Sequence, residues 1–168
     1  MTKTIKYFLY IVVCAMIFFV FVKIFDGSTS TNSANAFEWE KTVQIYFVDL
    51  KKAETSSCEA DVALKRVVIN AETLGPGAIE MLIKGLTPKE TKSNKYISLI
   101  NPKTLLQKFE VKGGVAYVDF DSGLNQEVAG SCKVTAIRSQ IEKTLIALPD
   151  IDSVVISVNG ETEGILEP

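Results

Sequence analysis

The chain has 168 residues, with 18 Lys+Arg, 20 Asp+Glu and no His. Apolar residues make up 47% and charged residues 23%, which excludes a wholly disordered chain and leaves length for one domain core. The absence of His excludes Ser-His-Asp and Cys-His catalysis and every His-ligated metal site, leaving carboxylate chemistry, Lys chemistry or none.

Residues 1–25 read as a membrane segment. From Ile5 to Phe25 the only charged side chains are Lys6 and Lys23. A helix rises 1.5 Å per residue, so about 20 such residues cross a ~30 Å hydrocarbon layer. Lys3 and Lys6 precede the run, so the positive-inside bias predicts a cytoplasmic N-terminus and an extracytoplasmic remainder. Two readings compete: an uncleaved signal anchor, and a signal peptide cut after Ala36 in Ala34-Asn35-Ala36. The apolar run is long for a signal peptide and ends far from that site, which favours the anchor. Cys14 lies in mid-run with no small residue before it, and reads as an apolar Cys of the helix.

Residues 26–36 read as a flexible linker, polar from Gly27 to Asn35. A folded domain is expected over 37–168, with Phe37 and Trp39 packed on its edge. That stretch carries 15 basic and 19 acidic side chains, a balance that argues against a nucleic-acid partner.

The domain reads as α+β. Val43, Ile45 and Phe47 alternate with Gln44 and Tyr46, which predicts a strand over 42–49. Lys51 to Ser57 reads as a loop, and Leu64 to Ile69 as a short strand. Gly75-Pro76-Gly77 precedes an amphipathic helix with its stripe at Ala78, Ile79, Leu82, Ile83 and Leu86, ended by Gly85 and Pro88. Thr87 to Lys95 reads as a polar loop. Leu105 to Asp121 alternates around Gly113-Gly114, a two-residue turn that accepts positive φ at both positions. The resulting hairpin pairs Lys112 with Val115, Val111 with Ala116 and Phe109 with Val118. Cys132 to Leu148 is a second helix, with Val134, Ile137, Ile141, Leu145 and Leu148 inward, Ser131 as N-cap and Pro149 as stop. Ser153 to Val158 is a last strand before the turn at Asn159-Gly160. The expected architecture is a three- to four-stranded, mainly antiparallel sheet with two helices packed on one face.

Cys58 and Cys132 both fall in the part expected outside the cytoplasm, where disulfides persist, and one intrachain bridge between them is expected. A redox-active or nucleophilic Cys lacks a CxxC pair and a His, and two thiols make no zinc site. Asp119 and Asp121 fit two sharper readings, a calcium loop and paired carboxylates for glycoside hydrolysis. The calcium loop lacks ligands at Gly123 and Gly130, and nothing else marks a sugar cleft. Both therefore read as the polar end of a strand. Lys89, Lys92 and Lys95 form a candidate interaction loop for an acidic partner or the polyanions of a cell wall, against the plainer reading of solvated loop charges.

Several pieces, in order, resemble the GerMN domain, the sporulation and spore-germination module. They are Tyr46-Phe47-Val48-Asp49, Arg66-Val67-Val68, and Leu82-Ile83-Lys84-Gly85-Leu86-Thr87-Pro88-Lys89-Glu90, with Leu86 where the family usually has Pro. The hairpin Gly114-Val115-Ala116-Tyr117-Val118-Asp119-Phe120 follows, then Gln140-Ile141, Thr144-Leu145, and Val154, Val155 and Val158-Asn159-Gly160. The resemblance covers roughly 115 of the 168 residues. Ser57-Cys58 and Ser131-Cys132 look like a branch of the family with Ser-Cys at both places. The resemblance implies a fold similar to the ring-building modules of secretion-type assemblies, in an extracytoplasmic domain held by a signal sequence or lipid anchor. No catalytic residue belongs to the pattern.

The expectation is a non-enzymatic interaction module of the bacterial cell envelope, single-pass in the membrane and without a cofactor. Its partner is a cell-envelope protein, and a homo-oligomer is compatible with the reading. The alternative is a peptidoglycan-binding accessory domain for cell-wall hydrolysis or remodelling.

Overall fold

The structure is a computed structural model, and it describes residues 16, 40–55, 58, 60–69 and 74–167. The expected membrane segment 1–25, apart from Met16, lies outside the described residues, as do the linker 26–36, Phe37 and Trp39. Among the described residues no helix is long and apolar enough to cross a membrane. All elements below belong to the unit Glu38–Pro168.

The period-two pattern around Ile45 builds β1, Glu40–Asp49, which buries Val43, Ile45 and Phe47 on one face. It is followed by α1, Leu50–Thr55, where the sequence read as a loop. Asp49 starts this turn by accepting the Lys51 amide at 3.0 Å, a capping role the polar composition hid. β2, Asp61–Ile69, pairs antiparallel with β1 along its length and begins three residues earlier than the apolar run suggested.

Helix α2, Leu74–Lys84, contains Gly75-Pro76-Gly77 in its first turn. These residues were expected to precede the helix; Pro is tolerated there because the first amides need no partner. The glycines serve close packing instead. A Cβ on Gly75 would overlap the Phe109 ring, and one on Gly77 would come within 2.8 Å of Val68 Cγ1. Gly85 ends the helix at φ +79°, its amide donating to the Met81 and Leu82 carbonyls. The expected loop 87–95 contains α3, Pro88–Lys92, started by a capping box in which Thr87 and Glu90 satisfy each other's amides. β3, Tyr96–Ile97, then pairs with Val48 and Asp49.

The hairpin forms from β4, Leu106–Lys112, and β5, Val115–Phe120, in the predicted register, with Gly113 and Gly114 both at positive φ. The sequence alternation fails at one end. A bulge between Leu106 and Lys108 resets the phase, so Leu106 faces Phe120 and packs on the core while Leu105 is exposed. Helix α4, Ser131–Ile146, follows, with Gly130 rather than Ser131 at the N-cap. β6, Ser153–Val158, lies parallel to β5, reached by the α4 crossover.

The expected single sheet is therefore two: an antiparallel sheet in the order β2-β1-β3 and a mixed sheet in the order β4-β5-β6. Side chains occupy part of the β1 edge that a further strand would need. The Tyr46 amide donates to Thr144 Oγ1 at 3.0 Å, and Gln140 Nε2 donates to the Tyr46 carbonyl at 3.1 Å. Both side chains are fully buried on α4. Helices α2 and α4 contact both sheets, and one core joins Ile45, Phe47, Ile79, Leu82, Val118, Phe120, Ile137 and Ile141. After β6, Ile165 and Leu166 also reach this core, with the Leu166 amide donating to Asn125 Oδ1.

Candidate functional site

The lysines singled out in the sequence surround an ion pair rather than lining a loop. Lys89 and Lys92 sit three residues apart on α3, on one side of the helix, and Lys95 lies just before β3. All three are exposed. Glu90, between them, turns the other way. Its two oxygens accept from both terminal nitrogens of Arg66 at 2.7 and 2.6 Å, and Oε2 also accepts the Thr87 amide at 2.8 Å. The Arg66 guanidinium lies 5.7 Å from the centroid of Phe47, within cation–π range. Burial pushes the Glu90 carboxyl up, but the Thr87 amide and the Arg66 guanidinium outweigh it and hold the group below its ordinary value. The pair thus binds α3 to β2 and leaves the lysines outward.

Asp119 and Asp121 are taken up by local structure. Asp119 Oδ1 accepts from Ser157 Oγ at 2.6 Å and from the Gly160 amide at 2.8 Å, joining β5 to the turn after β6. Asp121 Oδ1 accepts the Leu105 amide at 2.9 Å and the Gly123 amide at 3.1 Å, and caps the 3₁₀ turn Ser122–Asn125. These bonds give both carboxylates the strand-end role read from the sequence.

Cys58 and Cys132 are joined by a disulfide, with their Cα atoms 4.7 Å apart. Beside it is a polar contact that the sequence gave no periodic signal for. The Asp61 side chain is 3% exposed, and its Oδ2 accepts from Ser139 Oγ at 2.5 Å and Lys143 Nζ at 2.8 Å. Ser139 and Lys143 are four apart on α4, so one face of the helix presents both. The disulfide and this cluster together fasten the start of β2 to α4.

The mixed sheet keeps one face open. Phe109, Ala116, Val118, Phe120, Ile156 and Val158 point to the core, so Lys108, Glu110, Lys112, Tyr117, Asp119, Val155 and Ser157 point away from it. They line a shallow depression of about 400 Å³. Tyr117 stands within it at 42% exposed, opposite Glu110 on β4 and Val155 on β6. Glu110 is bracketed by Lys112 at 2.9 Å and Lys108 at 3.8 Å, and the Lys112 hydrogen bond holds its carboxyl below the ordinary value. An aromatic ring amid mixed charges suits recognition of a partner surface.

The family model described as Germane, sporulation and spore germination, matches residues 44–164. The chain belongs to this GerMN-domain family. Among solved structures it is similar to the first GerMN domain of the sporulation protein GerM from Bacillus subtilis. That likeness has 19% sequence identity and a TM-score of 0.57, over 73% of this chain and 85% of that one. It is also similar to the tandem GerMN domains of the same protein, at 17% identity and a TM-score of 0.55. There the match spans 80% of this chain and 44% of the tandem chain. At such identities the likeness is one of fold. No curated protein matches the chain.

The GerMN motif residues acquire physical roles here. Phe47, Arg66, Thr87 and Glu90 meet in one network. Gln140 and Thr144 hold β1, and Gln140 Oε1 accepts the Leu99 amide at 3.3 Å. Among the described residues, Tyr117 is the large GerMN motif side chain left exposed on the open face; its place in a strand alternation was the sequence signal for that.

Proposed function

We propose that this GerMN domain is a non-catalytic interaction module of the bacterial cell envelope, anchored by residues 1–25 and held outside the cytoplasm. The observation that carries the reading is the open face of the mixed sheet, where Tyr117 stands exposed in a depression of about 400 Å³. Asp119 and Asp121, weighed above for hydrolysis, each use Oδ1 to brace a strand end, which further supports binding over chemistry. By analogy with ring-building modules, the partner is an envelope protein or a second copy presenting a complementary surface.

Two experiments test this. Protease added to intact cells or spheroplasts should digest the domain alongside an exported control; full protection of the domain overturns the anchored, outward orientation. A photo-crosslinker placed at position 117 of the full chain in cells should give discrete protein adducts, and the same probe at exposed Lys103 should not. Retention on purified peptidoglycan in place of protein adducts would favour the wall-binding alternative.

A further inference from the structure

We infer that the end of the domain formed by α1, α3 and the start of β3 is a binding site for a phosphate-rich anionic polymer on the wall side of the membrane. The chain as a whole is acidic, but its positive charge gathers here. The two segments 49–55 and 87–97 hold five lysines against Asp49, Glu54 and Glu90, while residues 37–168 overall carry 15 basic and 19 acidic side chains. Arg66 balances Glu90, while Asp49, which accepts the amides of Lys51 and Lys52, and Glu54 keep their charge, so the five lysines leave a net charge of about +3 at this end. The segments adjoin in space, because the Leu50 amide donates to the Lys95 carbonyl at 2.9 Å and Asp49 pairs with Tyr96. Lys51, Lys89, Lys92 and Lys95 are all exposed. Spaced ammonium groups on a rigid capped helix and an adjoining turn bind a repeating anion through released counterions, with little demand on its sequence or shape.

The choice of polymer over lipid rests on the outward orientation proposed above and on the lack of a broad apolar face beside the lysines. Leu50 and Ile97 are partly exposed nearby, but two such side chains make too small an apolar face to bury in lipid.

The test uses the full chain in a neutral detergent and long-chain inorganic polyphosphate as probe. Wild type should bind with an affinity that falls steeply as salt rises, and the K89Q/K92Q/K95Q variant should bind about ten-fold or more weakly. A control variant, K41Q/K103Q/K133Q, removes the same charge elsewhere and should stay within about two-fold of wild type. No binding by wild type, or equal loss in both variants, overturns the site. Displacement of the polymer by phosphatidylglycerol added to the same detergent micelles assigns the patch to the membrane and overturns the proposal. Binding in detergent does not depend on orientation, so this result and the protease result fail separately.

Discussion

Glu90 does two jobs with one carboxylate, closing the capping box of α3 and pairing with Arg66 on β2. Glu90→Gln keeps the shape but removes the charge, and should destabilise the fold by about 1–2 kcal/mol near neutral pH. The pH dependence has a definite sign. The folded-state group is held below its ordinary value of 4.5, so its stabilisation is complete above that value and is lost as pH falls through the lower, folded one. Denaturant midpoints should therefore separate wild type from E90Q at pH 7 and converge in acid; a gap unchanged between pH 7 and pH 3 would show that the charge contributes nothing. Gln140 tests a different kind of satisfaction. It is fully buried with both amide ends bonded, so Gln140→Leu strands the Tyr46 carbonyl and the Leu99 amide. The expected cost is about 2–4 kcal/mol by chemical denaturation, because two backbone groups lose their partner at once.

Helix α2 fits its site because two of its first four residues lack side chains. Gly75→Ala gains up to about 1 kcal/mol in helix propensity but drives a methyl into the Phe109 ring, and the net effect should be a loss of about 1–3 kcal/mol. The double variant G75A/F109L should recover part of that loss, and simple additivity of the two changes would refute the packing account. The same helix shows what sequence patterning can and cannot reveal. Its apolar stripe was legible in Ala78, Ile79, Leu82 and Ile83, since burial repeats with the helical period. Its start was not, because Gly-Pro-Gly has the same composition whether it forms a turn or a tightly packed first turn of helix. The hairpin register was legible because the Gly-Gly turn and the alternation agree; the bulge after Leu106 was not, since Leu105 and Leu106 serve equally as the inward residue and Gln107 and Lys108 are both polar, so either phase fits the pattern. The split into two sheets was equally hidden. It depends on Gln140 and Thr144 reaching β1 from about a hundred residues away, and pairing between distant segments has no local signature. Of the candidate site, the lysines were legible as charge and Tyr117 as a strand residue. That α3 is a capped helix was marked by the capping-box spacing Thr87-Pro88-Lys89-Glu90, which the loop reading passed over; that its lysines face outward follows from the Arg66–Glu90 contact, which patterning does not see.

At the scale of the molecule, the start of β2 is tied to α4 twice. The disulfide joins residues 74 apart in sequence, and Asp61 with Ser139 and Lys143 makes a second, non-covalent tie a few residues on. The two act on different states. The cross-link chiefly limits the unfolded chain, by up to about 4 kcal/mol for a loop of this length in the chain-entropy model. The Asp61 cluster acts only in the folded one. Non-reducing mass analysis of the full chain should find it two hydrogens lighter than the reduced form. Replacing both cysteines, as C58S/C132S, should lower the urea midpoint and steepen the denaturant dependence, because an unlinked chain exposes more surface when it unfolds. Asp61→Asn should lower the stability by about 1–3 kcal/mol, and the midpoint with it, at an unchanged slope. The native fold should survive either change, since the core running from Ile45 to Ile141 involves neither tie. A C58S/C132S variant with the wild-type midpoint and slope would mean that the bridge does not form in solution, whereas loss of native near-ultraviolet circular dichroism would mean that the cross-link, and not the shared core, holds the two sheets to their helices.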